Sequence, residues 1–172
     1  MGADRAILVE SDGPVDPLSI ARIFKTIIDR DGIDLVLLGK QAIDNDNSQT
    51  PQMLAAIWGR PQATFASQIE TNGDSATVTR EVDAGLEKIE IDLPAVISVD
   101  LRLNEPRYVK LPDIMKAKKK PFETLAIADL GVDISPQFET VTFDTPEVRQ
   151  KGQMVDDVAG LIGALKDKGF SL

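Results

Sequence analysis

An α/β fold is predicted, built on a mainly parallel sheet with antiparallel additions and followed by a C-terminal arm and helix. Two observations carry that prediction. Apolar strand and helix signals alternate from Arg5 to Leu38, and short strands separated by turn residues run from Ala63 to Val99.

Arg5–Val9 reads as a short apolar strand. Asp16 then caps a helix that opens on Pro17, where the missing N–H costs nothing. Leu18, Ile20, Ala21, Ile23, Phe24, Ile27 and Ile28 recur at helical spacing, and Gly32 ends the run. Ile33–Leu38 is almost continuously apolar, the pattern of a strand covered on both faces. Together these segments predict a βαβ unit with parallel strands and a right-handed crossover. A polar loop, Gly39–Gln49, leads to a second helix from Thr50 to Trp58, stopped by Gly59 and Pro61. Trp58 itself reads as a packing residue.

Four strands follow, at Ala63–Glu70, Ala76–Val82, Leu86–Leu93 and Ala95–Val99, with Asn72-Gly73 as one of the turns. Leu111–Lys120 is a short helix or ordered loop between Pro112 and Pro121. Val132–Met154 lacks periodicity and reads as an extended arm. Val155, Val158, Leu161, Ile162 and Leu165 then mark an amphipathic helix closed by Gly169. The expected division is therefore a nucleotide-binding α/β domain over 1–131 and an arm with its helix over 132–172. Met1-Gly2-Ala3-Asp4 reads as the tail of a helix running straight into a strand, so a βα portion ahead of it is expected. A small domain with a short natural start is the alternative.

The 172 residues contain no Cys and no His. Disulfides, thiol nucleophiles, thiolate or imidazole metal sites and a Ser-His-Asp relay are thereby excluded. The composition fits a reducing compartment. No secretory signal is visible at the start, and apolar runs such as Leu35–Leu38 are far too short to span a bilayer. The net charge is −9, yet residues 102–120 hold seven basic groups against two acidic ones. An acidic body argues against nucleic-acid binding, which needs a broad basic surface. One concentrated basic segment fits docking of a specific acidic partner.

Three constellations could carry function. The first is Gly39, Lys40, Gln41, Ala42, Ile43, Asp44, Asn45, Asp46, Asn47, Ser48, Gln49 and Thr50, between a strand's carboxyl end and a helix N-terminus. Ligands of open α/β sheets bind there, and free helix N–H groups suit phosphate. Asp44 and Asp46 would repel phosphate and fit as acceptors for ribose hydroxyls or for the loop's own N–H groups. The segment is neither a calcium loop, with Gln49 and Ala55 where Gly and Glu are needed, nor a Walker A loop. From pattern alone it reads equally as a structural loop. The second is Asp100–Lys120, where Leu111, Pro112, Ile114 and Met115 sit beside Lys116, Lys118, Lys119 and Lys120. A lysine run is ordinarily a solvated face; an apolar tip rimmed by cations has the composition of an interface. The third, Arg80–Glu87, reads on its chemistry as the charged edge of a hairpin.

Leu35–Asp44, Arg80–Glu87 and above all Asp100–Lys120 closely resemble the beta subunit of electron transfer flavoprotein, and the similarity runs the length of the chain. The resemblance implies a flavodoxin/adenine-nucleotide-hydrolase-like fold and a non-catalytic subunit of a heterodimeric electron carrier. It implies an alpha-subunit partner that holds most of the FAD, and an AMP bound at Gly39–Thr50. The carrier would take electrons from acyl-CoA and related dehydrogenases and pass them to a membrane quinone oxidoreductase. It would work in the cytoplasm of a bacterium or in the mitochondrial matrix of a eukaryote. Bifurcating relatives carry Asp-Gly-Asp-Thr in this loop; Asp44-Asn45-Asp46-Asn47 departs from it, which implies the AMP type. Residues 99–121 correspond to a recognition loop with Leu111 as its apolar anchor. Glu81 corresponds to a glutamate that pairs with the alpha subunit, and the tail from Val141 to one that reaches toward alpha. The alternative is a stand-alone adenine-nucleotide-binding sensor or hydrolase module.

Overall fold

The computed structural model describes residues 1–43, 46–135 and 137–171. It divides into two compact units, Met1–Gln137 and Phe138–Leu172.

The first unit contains two sheets. In the larger, β2 (Leu35–Gly39), β6 (Ala95–Val99), β3 (Gln62–Asn72), β4 (Ser75–Val82) and β5 (Gly85–Asp92) lie in the order β2-β6-β3-β4-β5. The strands β2, β6 and β3 run parallel, while β3, β4 and β5 form an antiparallel meander. The smaller sheet pairs β1 (Ala6–Glu10) with β7 (Phe122–Ala126), again in parallel. A single 3-10 turn, Ile127–Leu130, follows β7.

Helix α1 (Pro17–Asp31) forms where the sequence places it, and the Asp16 carboxylate accepts the Ser19 N–H at 2.7 Å. Helix α2 (Thr50–Trp58) has the expected bounds. Gly32 and Gly59 close the two helices at φ 64° and 66°, a left-handed turn that a side chain would oppose. Both helices cover one sheet face, where Ala21, Ile28, Leu54, Ala55 and Val96 are buried together. The opposite face holds Ala63, Ala66, Ala76, Val78, Ile91, Ala95 and Ile97. Along β6, Ala95 to Ser98 are all buried, so this strand is the centre of the unit.

Two expectations are corrected. β1 and β2 do not form one βαβ sheet: among the described residues, β1 pairs with β7, and β2 pairs only with β6. β2 is an edge strand, and it is not covered along both faces, since Leu37 is 52% exposed. Leu8 of β1 and Phe122 of β7 are likewise exposed. A third feature has no sequence signal. Within β3, Phe65 takes φ 61°, a conformation costly for a bulky side chain. The register shifts across it against β6 (Ala63 to Ala66) and just after it against β4 (Ala66 to Gln68). The Ser98 hydroxyl accepts the Phe65 N–H at 3.0 Å, and the Arg80 guanidinium donates to the Thr64 carbonyl and hydroxyl.

The second unit consists of an extended segment and α4 (Val158–Asp167). The Asp157 side chain caps α4 by accepting the Gly160 N–H, and Val158, Leu161 and Ile162 are exposed. Among the described residues, no helix is long and apolar enough to cross a membrane.

The C-terminal end of α1 is tied to the small sheet by charge. Asp31 accepts from Arg5 at 2.6 Å and from Arg30 at 2.8 Å, while Arg30 also makes a bidentate pair with Glu123 of β7. These guanidiniums, Arg30 first, hold the Asp31 carboxyl down at about 2, from an ordinary 3.8. A depressed carboxylate contributes stability that is complete above its unfolded pKa and is lost as pH falls through its folded one. The thermal midpoint should therefore drop between about pH 4 and about pH 2. Circular-dichroism melts across that range should show a shallower fall for Asp31→Asn, which starts from a lower midpoint at pH 7. An identical slope in the variant would contradict the assignment.

Candidate functional site

The parallel β2–β6 register sets Gly39 beside Val99. The next residue continues the ladder, Lys40 N–H donating to the Val99 carbonyl at 3.1 Å. Loop 39–50 therefore starts at the carboxyl end of the sheet, beside the turn that follows β6. Two cavities meet there. One, of about 340 Å³, lies against both helix openings, with Val15, Pro17, Ile20 and Phe24 from the α1 side and Asn47 to Pro51 from the α2 side. The other, of about 550 Å³, shares Gly39, Lys40 and Gln41 and adds Val99, Asp100 and Leu101.

Within the loop, the Asp46 carboxylate accepts from the Gln41 side-chain amide, and its N–H donates to the Ala42 carbonyl at 2.8 Å. Asp46 and Ser48 take positive φ, at 50° and 51°. Such angles in non-glycine residues signal a backbone shape fixed by its surroundings. Ile43 is fully exposed, and Asp44 and Asn45 lie outside the described residues. Asp46, expected to accept from ribose hydroxyls or from the loop's own N–H groups, accepts here from the Gln41 side-chain amide.

The α2 opening differs from those of α1 and α4. Each of the latter is capped by its own aspartate, whereas Gln49 makes no side-chain cap and the first turn of α2 carries no acidic residue. The first turn of any helix has N–H groups without intrahelical partners and a positive dipole end. Ser48, Gln49 and Thr50 add side-chain donors beside it. Gln52, in the same turn, has a buried Oε1 without a donor, the one such side-chain atom among the described residues. The N–H and side-chain donors suit a phosphate monoester, whereas Gln52 Oε1 is an acceptor and has no part in holding one.

The basic segment forms α3 (Leu111–Ala117), seven residues with no buried side chain. Leu111 is 70% exposed, and Met115, one helical turn on, is 52% exposed. Ile114 is half-buried, and Pro112 occupies the first turn. Lys116, Lys118 and Lys119 are exposed around this tip. Lys116 lies 4.0 Å from Asp113 and Lys120 reaches Asp4 at 3.0 Å, so the charge of Lys120 is partly spent within the chain.

Glu81, expected to face a partner, lies against Arg102 of its own chain. Arg102 also donates to Asp100, and Asp100 accepts from Lys40 at 2.6 Å. The Lys40 ammonium and then the Arg102 N–H hold the Asp100 carboxyl below its ordinary range. Sequence reading gave Asp100 no role. The one hint available is its position directly after a strand that is apolar throughout except for Ser98.

The Electron transfer flavoprotein domain model matches residues 1–130. An electron transfer flavoprotein subunit beta of Bradyrhizobium diazoefficiens is 51% identical over 168 residues, covering 98% of this chain and 68% of the relative. The mitochondrial subunit beta of Arabidopsis thaliana is 52% identical over 170 residues with the same shares covered. The human subunit beta is 47% identical over 173 residues, again at 98% and 68%. With bacterial, plant and animal subunits aligned along nearly its whole length, the chain belongs to the electron transfer flavoprotein beta-subunit family.

Proposed function

We propose that the chain acts as the beta half of a heterodimeric electron carrier, holding a structural AMP and docking the dehydrogenase that supplies electrons. The observation that carries the reading is the open N-terminus of α2, facing a cavity of about 340 Å³, in a chain of this family. The uncapped N–H groups with Ser48, Gln49 and Thr50 would take the phosphate. The apolar wall of Ile20, Phe24 and Leu38 suits a purine. FAD, carried mainly by an alpha subunit, supplies the redox chemistry, and no residue of this chain is assigned to electron transfer. The 132–172 arm contacts alpha, Glu81 would have to exchange its Arg102 partner to pair with alpha, and a membrane quinone oxidoreductase receives the electrons. In a bacterium the carrier works in the cytoplasm, in a eukaryote in the mitochondrial matrix.

The α3 tip serves recognition. Binding energy concentrates in a few buried apolar anchors, while rim charges mainly speed encounter. Leu111 and Met115 are the anchors, Pro112 shapes the turn, and Lys116, Lys118 and Lys119 form the rim. Lys120, partnered by Asp4, contributes less than its neighbours.

AMP should raise the melting temperature of the heterodimer in proportion to its occupancy, as any ligand of the folded state does. Thr50→Val, nearly the same shape, should weaken AMP binding by about 1–3 kcal/mol in a calorimetric titration. Unaltered affinity would remove Thr50 from the phosphate site, and steady ATP hydrolysis by the purified complex would favour a hydrolase module instead.

Leu111→Ala should weaken dehydrogenase coupling by about 1–3 kcal/mol, the scale of a lost buried leucine. Stopped-flow flavin reduction at subsaturating dehydrogenase measures it, with flavin and AMP content unchanged. Wild-type kinetics would sink the anchor assignment.

A further inference from the structure

Asp100 is the one charged residue in the buried set among the described residues, at 3% exposure. Its two carboxylate oxygens serve different parts of the chain. Oδ2 accepts from Lys40 Nζ at 2.6 Å, and Oδ1 accepts from the Arg102 backbone N–H and from its Nε, each at 3.0 Å. Its backbone is equally committed: the N–H donates to the Ala66 carbonyl at 2.8 Å, and the carbonyl accepts from Leu103 N–H at 3.1 Å. Arg102 has a second acceptor in Glu81 on β4.

A buried carboxylate stripped of one cation must strengthen its hold on the other, because an uncompensated buried charge is strongly unfavourable. Lys40 and Arg102 do not bond to each other, yet they share this acceptor. Lys40 borders both cavities at loop 39–50, whereas Arg102 opens the segment leading to α3 and lines neither.

We propose that Asp100 is a positioning residue that couples the 39–50 loop to the 101–117 segment, so that an anion drawing on Lys40 shifts Arg102 toward Asp100 and away from Glu81. The ligand arm of this inference rests on the reading of loop 39–50 as a phosphate site; the coupling between the two segments does not. Linkage makes the effect reciprocal: whatever engages Arg102 or Glu81 changes affinity at the loop by the same factor.

The test uses the full chain and two arms. The first arm needs no ligand and follows amide hydrogen exchange by nuclear magnetic resonance. Lys40→Met leaves Arg102 as the remaining cation at Asp100. Exchange of the Arg102 amide, which donates to Asp100 Oδ1, should therefore slow about fivefold relative to the Val78 amide of β4, the low end of site-to-site coupling; faster exchange would overturn the proposal. Referencing to Val78 removes any general loss of stability. Lys40→Arg, which keeps a cation for Asp100, should return exchange to the wild-type rate. Arg102→Met should likewise slow exchange of the Lys40 amide, whose side chain Asp100 then holds alone. Changes confined to the mutated segment overturn the proposal.

The second arm titrates AMP. Arg102→Met should change its dissociation constant about fivefold, and the change should vanish when Asp100→Asn is also present. If the wild type binds AMP and Arg102→Met leaves the constant unaltered, the coupling is refuted. If the wild type binds no AMP, the phosphate reading fails, and the exchange arm alone decides whether the two segments are coupled.

Discussion

The parallel pairing of β2 with β6, Gly39 against Val99, is the constraint on which the rest of the candidate site depends. It brings Lys40 and Asp100, sixty residues apart in sequence, within hydrogen-bond distance. Apolar alternation pins this register. Val36 and Leu38 pack with the helices while Leu35 packs with the opposite cluster, and a slip of one residue would exchange the two sets. The same strand fixes β3 on its other side, where Asp100 N–H meets the carbonyl of Ala66 just beyond the strained Phe65. Polar contacts at the sheet's carboxyl end thus inherit their geometry from the burial of apolar side chains well below them.

Charge is arranged on that frame so that carboxylates stay clear of one helix end. The chain is strongly acidic, and a helix N-terminus attracts acidic groups. Asp16 and Asp157 occupy the N-termini of α1 and α4, while Asp46 is engaged by Gln41 and Asp100 by Lys40 and Arg102. Among the described residues, the opening of α2 is left without an anion of the protein's own. The basic residues concentrate elsewhere, around α3, where short-range apolar contact and longer-range attraction act at the same tip. The two charge patterns separate a helix end clear of the described carboxylates from an exposed apolar tip rimmed by lysines.

Helices were legible in the sequence because their signals are local. Asp16-Pro17 with Gly32, and Thr50-Pro51 with Gly59, mark both ends within the segment itself. The meander was legible for the same reason, its strands following one another through short turns. β7 was not, since Phe122–Ala126 is five residues long and its partner β1 lies over a hundred residues earlier. That non-local pairing also explains why β1 was assigned to the wrong sheet. The break at Phe65 was invisible because no glycine marks it; Ser98 and Arg80 hold the backbone there through contacts made only after folding. The loop and the α3 tip could be found from composition, but the Asp100 network could not. An aspartate followed by Leu-Arg after a strand looks like an ordinary exposed turn until the register is known.

Burying Asp100 demands an explanation beyond stability, because a buried ion pair can often be replaced by apolar residues at little cost. An apolar side chain at this position would fill the volume and leave the Arg102 N–H and Nε without their acceptor. It would also release Lys40 toward Asp46 or toward solvent, both open to it at the cavity they share. Asn would keep one acceptor oxygen yet present an amide to one of the two cations. Only a carboxylate offers two acceptor oxygens to three donors arriving from opposite sides of the strand end. What Asp100 supplies is direction, holding the ammonium at the mouth of one segment and the guanidinium at the start of the other in a fixed relation.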